Sequence, residues 1–575
     1  MQQSINNLID LYQSNENNHI NYQIEFKNMY FCNDVTKLCD FLKHIDYATS
    51  ISFNKTDINN ENFKQICEIL ENNKTITKIK LKNNIWLNNI SPINKIIKNN
   101  VLETINFNLA SPKWDFNQVV DYNNIDDIFK LLSENTSLKT IIIKTVEKDF
   151  SIIIPNFNSI EKNNNIEKLN ISGFKIQNDI TKSLIENKSI KTLKLQNSNL
   201  QVDKLQSLLQ KNTLYTLHIQ NSFISNIQNL LLNNTSISDL DLSYCNLSNI
   251  NDIINFIQNN NYLNKLNLSF NSYHNIDALC NVLKNNNSIY KINLSNNNID
   301  DINNFSSVFE TNECLMKLNL SHNNISNVLS FSDKLKNNST LTKLDLSYNH
   351  INYVQPLFDC LKNNSALTKL NLKNNQINTI NNINDIFTSN KSLLKLNLLN
   401  NNYSFTPLIE TLYNNDTLTS LYISYNENND PADTPQKISK LLELNTSLTK
   451  LNIKFNTNNI ENFLKFSEGL KINKTLDKLY LYNDTYINYH NNMIMKECNN
   501  ISIKQLIDAL MLNTSINTLK IENCLFMNSE INLSCLSNLI KNNTTLTSLN
   551  IPSIDKYNYD AFTEALKSNT TLTKL

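Results

Sequence analysis

The chain of 575 residues lacks arginine: its 52 basic residues are all lysine, set against 52 acidic ones for a formal net charge of zero. Without a guanidinium there is no arginine finger for phosphoryl transfer and no planar fork to grip a carboxylate or phosphate through two parallel hydrogen bonds. Glycine is nearly as scarce, with only Gly173 and Gly469. Phosphate-cradling loops, dinucleotide turns and nucleophile elbows all need clustered glycines, so none can be written here. A balanced charge also removes any global field that would draw in nucleic acid or an anionic membrane. No apolar run approaches the roughly 20 residues of a membrane span. The opening MQQSINNLIDLYQ lacks the basic and apolar regions of a signal peptide.

The ten cysteines are scattered, with no CxxC pair and no metal-ligand spacing. These features together lead us to expect a reduced, soluble, cytoplasmic protein that needs no cofactor or metal. Asparagine fills the space that glycine and arginine leave, at about a fifth of the chain, far above ordinary usage. Composition of this kind, rich in Asn, Ile and Lys, fits codon bias in an AT-rich genome. Many Asn-x-Ser/Thr triplets occur, among them those at Asn135, Asn234, Asn445 and Asn513. Without a secretory signal they read as turn chemistry rather than glycan acceptors.

What the chain does contain is repetition. LNKLNLSFN at 263–271, LTKLDLSYNHI at 341–351 and LTKLNLKNNQI at 367–377 share the pattern L-x-x-L-x-L-x-x-N-x-I. Marked by its second aliphatic, the series runs from Ile51 through Ile79, Ile105 and Ile141 to Leu549 and Leu575. From Leu240 to Leu396 every step is 26 residues, and Ile24 suggests one earlier copy. A period in this range means a stacked array, not several independent globules. Each repeat offers a short alternating segment such as Leu344-Asp345-Leu346, too short to stand alone as a sheet. A helical stretch follows, with Ile276, Leu279, Val282 and Leu283 on one face. Parallel strands need a crossover of a dozen or more residues, and the repeat supplies one.

The pattern resembles the leucine-rich-repeat superfamily, in particular the cytosolic ribonuclease-inhibitor-like class with long repeats. That class includes Ran GTPase-activating proteins, NOD-like receptors and tropomodulins. The resemblance covers about residues 20–575 in some 20–21 repeats, the last ending in mid-repeat at Leu575. It implies an α/β solenoid, with a parallel sheet on the concave face and helices on the convex face. It also implies that Asn271, Asn297, Asn323, Asn349, Asn375, Asn401, Asn426 and Asn456 point inward and bond loop backbone between repeats. Ser198, Ser222, Cys245 and Cys524 fill the same slot elsewhere. Helix-ending asparagines, as in LKNNNSI at 283–289 and LKNNSAL at 361–367, are expected to take the left-handed conformation that glycine usually supplies. Residues 1–19 read as an N-terminal capping helix, with Ser4 as N-cap and Ile5, Leu8, Ile9 and Tyr12 inward. The C-terminal end shows no such cap, and self-association through it is one expectation.

Such a motif defines a fold without defining a function. Residues alternating with the core aliphatics face outward. One such column reads Lys265, Lys291, Lys317, Lys343, Lys369 and Lys395; it fits an acidic partner or simply a solvated consensus position. A second candidate is aromatic: Tyr422, Tyr425, Phe455, Tyr480 and Tyr482 are expected on or beside exposed strand positions, where tyrosines often anchor interfaces. Longer steps mark insertions at 111–124, 426–435 and 483–500, the last holding His490, Glu497 and Cys498, which lack an evident fourth metal ligand. The expected function is a non-catalytic protein-interaction scaffold binding another protein, with no membrane role and nucleic acid unfavoured. A GTPase regulator and a binder of an acidic ligand through the lysine stripe are the alternatives.

Overall fold

Three residues are enough for a strand when both neighbours supply the hydrogen bonds, and that is how Lys-Leu-Asn is used here. The computed structural model describes residues 22–574, leaving aside 28–34, 85–90, 110–129, 146–152, 155–159, 198–204, 457–459, 484–503, 523–529, 552–558 and positions 46, 47, 55, 57, 100, 133, 174, 177, 178, 223, 225, 382 and 427. The expected capping helix at 1–19, the insertions at 111–124 and 483–500, and Leu575 therefore lie outside the described residues.

The chain forms two compact units, Met1–Tyr273 and His274–Leu575. In the first, parallel strands follow one another from Tyr22–Lys27 and Ala48–Asn54 to Asp239–Asp241 and Lys265–Asn267, each paired with its sequence neighbours. A separate pair joins Ile153–Ile154 to Lys175–Ile176. In the second, strands run in order from Lys291–Asn293 to Ser548–Asn550, again all parallel. Markers meet in register: Leu318 opposite Leu344, Leu344 opposite Leu370, Leu370 opposite Leu396. Even the tentative copy at Ile24 pairs with Ile51. Strands line one side of each unit and helices the other, the α/β solenoid of leucine-rich repeats.

Between the two layers sits a continuous aliphatic core. The markers Leu344, Leu370 and Leu396 are at most 2% exposed, as are the helix residues Leu279, Leu283, Leu357 and Phe358. On the 277–283 helix Cys280 rather than Val282 completes the inward face. Each such side chain contributes about 1.5–3 kcal/mol on burial, but only because the next repeat covers it. The two glycines answer local needs. Gly173 has φ 85°, in the left-handed region. A Cβ on Gly469 would meet the Ser439 carbonyl oxygen at 2.6 Å, so the helices Thr434–Leu444 and Ile460–Ile472 pack backbone against side-chain-free backbone.

The asparagines divide into two ladders. The expected inward set is present from Asn271 to Asn401. Asn349 donates to the Leu320 and Leu346 carbonyls at 3.0 Å, and its Oδ1 accepts from Ile325 N of the preceding repeat at 3.1 Å. Cys245 fills the same slot with its Sγ 2.7 Å from the Ile219 carbonyl. The set does not continue through Asn426. There the strand runs unbroken over Ser420–Asn426, and the buried carboxylate of Asp430 takes the bonds instead, accepting from Asn426 N, Phe405 N and Ser404 Oγ at 3.0–3.1 Å. The Asn456 side chain lies outside the described residues.

The second ladder corrects the left-handed-cap expectation at the two stretches that suggested it, although Asn212 and Asn233, just past the helices Gln206–Gln210 and Ile227–Leu231, do take that conformation with φ 55° and 62°. Neither 283–289 nor 361–367 contains a positive φ; most left-handed residues, such as Asn296, Asn374 and Asn400, fall in the turn after the strand. The helix-ending asparagine acts through its side chain. Asn364 donates to the Leu335 carbonyl at 2.7 Å and the Asn338 carbonyl at 3.0 Å, both in the preceding repeat. Its Oδ1 accepts from Ala366 N and Leu367 N. Asn135, Asn187, Asn312, Asn445, Asn513 and Asn569 repeat the arrangement. The Asn-x-Ser/Thr triplets at Asn135, Asn234, Asn445 and Asn513 are thus structural, with these amides at most 5% exposed. Asn364→Ala leaves backbone groups of two repeats unpaired and is expected to cost about 2 kcal/mol. Exposed Asn363→Ala should stay within ~0.5 kcal/mol. Urea melts of the two variants check this; equal shifts would contradict the assignment of the ladder.

Candidate binding face

Strand alternation sends Lys and Asn of each Lys-Leu-Asn to the side away from the helices. In the second unit Lys291, Lys317, Lys343, Lys369 and Lys395 are therefore opposite one another in register. Asn293, Asn319, Asp345, Asn371 and Asn397 form the adjoining row. All of these but Asn293 line a groove of about 410 Å³. Strands lie about 4.8 Å apart, so five ammonium groups share a short stretch of surface. Among the described residues none of the five lies within ion-pairing distance of a carboxylate. Asp345 is the acidic lining residue, and its oxygens are committed to Ser347 N, Ser347 Oγ and Asn371 Nδ2. That contact also makes Asn371 a bonded residue, where the alternation alone suggests a free one.

Lys265, the sixth member of the expected column, belongs to the first unit and is differently placed. Asp239 holds it at 3.1 Å and His218 at 3.2 Å. Asp241 accepts from Gln220 and Asn267. Here the face satisfies its own charges. Burial acts to raise the Asp239 carboxyl, but hydrogen bonds from His218 and Lys265 outweigh it and lower its pKa to about 2.

The aromatic candidates separate by parity. Tyr422 and Tyr480 share the row of Asn397 and are half-buried on the open face; Tyr482 is two residues on and also outward. Tyr425 and Phe455 correct the expectation: each is 1% exposed. They lie an even number of residues from the core markers Leu421 and Leu451, so the pleat turns them inward. There they pack edge-on with Phe405 and Phe466 at centroid distances of 5.7–6.2 Å. The structure adds a residue that the column of six missed. Lys450 continues the lysine row beyond Ser420, and register over three strands could have found it. Its ammonium stands 4.2 Å from the Tyr480 ring centroid and 5.3 Å from that of Tyr422, while Lys395 stands 4.8 Å from Tyr422.

Among the described residues no group of three His, Cys, Asp or Glu could hold a metal, and no helix is long and apolar enough to cross a membrane. His490, Glu497 and Cys498 lie outside the described residues. Burial pushes the thiols of Cys245, Cys280 and Cys360 up to about 12, which leaves them un-ionised at neutral pH.

No family model matches the chain, and no curated protein does. Among solved structures it is similar to an internalin (inlF) from Listeria monocytogenes, at 22% identity over 64% of this chain and 94% of that one, with a TM-score of 0.43. An internalin C2 (inlC2) of the same organism matches at 21% identity over 39% of this chain and 84% of that one, with a TM-score of 0.29.

The Asp239 contacts predict an acid response. A carboxyl lowered from about 3.9 in the unfolded chain adds stability that is fully present above that value and is lost as pH falls towards 2. Asp239→Asn should thus lower the thermal midpoint at pH 6, with the gap to the parent closing as pH falls from about 4 to about 2. A gap independent of pH would refute the pairing.

Proposed function

We propose that the chain is a non-catalytic protein-interaction scaffold whose lysine-lined face, Lys291 to Lys395, receives an acidic segment of another protein. The observation that carries this reading is a groove whose five ammonium groups, among the described residues, have no carboxylate within ion-pairing distance, in contrast to Lys265 of the first unit, which Asp239 pairs. Adjacent like charges repel, and an arriving run of carboxylates relieves that repulsion at the same time as it makes new ion pairs. The solvated-consensus alternative accounts for lysine at each position, but equally allows the lysine–carboxylate pairing that Lys265 has and that, among the described residues, the five lysines of this groove do not.

Membership of the ribonuclease-inhibitor-like class is supported by the 26-residue period and the helix in each regular repeat. Treatment of residues 20–575 as one repeat domain and a cytoplasmic setting are likewise proposals.

The test is binding of a fluorescein-labelled Glu-rich peptide, followed by anisotropy. Affinity should fall steeply between low and physiological salt, because exposed charges are screened beyond a Debye length of about 8–10 Å. Replacing Lys317, Lys343 and Lys369 together by Gln should weaken binding by about tenfold, at roughly 0.5 kcal/mol for each exposed pair. Salt-independent binding that survives the triple change would retire the proposal.

A further inference from the structure

Past Lys395 the open face changes character over three strands. Tyr422, Asn452 and Tyr480 stand opposite one another in register, so two phenol rings flank one amide. Asn452 is 3% exposed, while its equivalents Asn371 and Asn397 are half-exposed. Its Oδ1 is fully covered and accepts no hydrogen bond. A covered acceptor without a donor is rare in folded proteins and leaves a desolvation cost unrecovered. Beside it, Lys450 and Lys395 both approach the Tyr422 ring, and Lys450 approaches Tyr480 as well. Burial lowers the Lys450 pKa, but interactions with Tyr422 and Tyr480 outweigh it and leave it above the ordinary value. Neither ammonium has a carboxylate partner among the described residues. The site thus holds two cations against aromatic rings and a covered acceptor without a donor.

We propose that Tyr422, Asn452, Tyr480, Lys395 and Lys450 form the anchor subsite of this face, seating one Asp or Glu residue of an extended protein segment. The inference rests on the acidic-partner reading and deepens it. The carboxylate takes the two ammonium groups, whose positions the rings restrict through cation–π contact. The main-chain N–H of the same residue donates to Asn452 Oδ1. A nucleotide or lipid phosphate satisfies the cations but carries no N–H at that place, so it leaves the acceptor empty; a peptide residue supplies both. Access to Oδ1 requires one flanking side chain to turn aside, an ordinary rotamer change on binding.

The experiment uses the full chain and a labelled extended peptide with a central block of glutamates, beside the same peptide N-methylated at every glutamate. N-methylation removes the donor and keeps the charge. The parent should bind the methylated peptide about tenfold more weakly, the scale of one hydrogen bond to a buried group. Asn452→Leu, checked for folding by its thermal midpoint, should bind the unmethylated peptide about tenfold more weakly and be nearly indifferent to methylation. That coupling in the double-mutant cycle is the signature. Equal methylation losses in parent and variant, with the Lys317, Lys343 and Lys369 change still effective, would overturn the subsite and leave the lysine face standing. Tighter binding of a serine-phosphorylated peptide or a single-stranded oligonucleotide than of the glutamate peptide would overturn the carboxylate assignment. No binding of the glutamate peptide would overturn both readings.

Discussion

The structure depends on one side chain: the asparagine where, in nearly every repeat, the helix gives way to the next strand. Its amide reaches back to carbonyl groups at the end of the preceding helix, and its own oxygen caps the two amides that lead into the strand. Helix ends leave carbonyl groups without partners, and in a stacked array these ends are buried by the next repeat. Water cannot serve them there. An amide has donor and acceptor on the same short side chain, so it can satisfy both neighbours at once. Aspartate lacks the donor, and serine is too short to span the gap.

That bond fixes the spacing between repeats and leaves the open face free to vary. The first unit uses the freedom to pair Asp239 with His218 and Lys265. The second repeats lysine without compensation and then turns to tyrosine. Nothing in the core demands either choice, since Leu240 and Leu344 are equally buried beneath them. The electrostatic difference between the two faces is therefore a property of the surface, carried by a frame indifferent to it.

The turn after the strand completes the division of labour. At Lys369–Asn371 and Lys395–Asn397, where the left-handed residues Asn374 and Asn400 follow, the strand stays at three residues and an inward asparagine closes the turn. Where that residue is absent, as at 420–426, the strand lengthens to seven and exposes two more outward positions. The same lengthening carries Tyr425 into the core, because an extended strand keeps alternating. Asp430 then supplies the acceptors that the missing asparagine would have provided.

The sequence by itself determined the repeat, the parallel order of the strands and the identity of the core. All three follow from periodicity, which is a local property: every marker leucine has the same neighbours at the same distances along the chain. It also determined the lysine row and the turn role of the Asn-x-Ser/Thr triplets. Only the tertiary structure decided what depends on how far each strand runs before it bends. That distance placed Tyr425 and Phe455 inside and broke the inward asparagine set at Asn426, while packing between repeats gave most helix ends side-chain bonds rather than left-handed caps. It also decided that Lys265 pairs with a carboxylate while Lys395, among the described residues, meets only the Tyr422 ring, and that Asn452 lies covered between two tyrosines. Most of these are contacts between neighbouring repeats, and their strength comes from burial by the next repeat, which no single repeat contains.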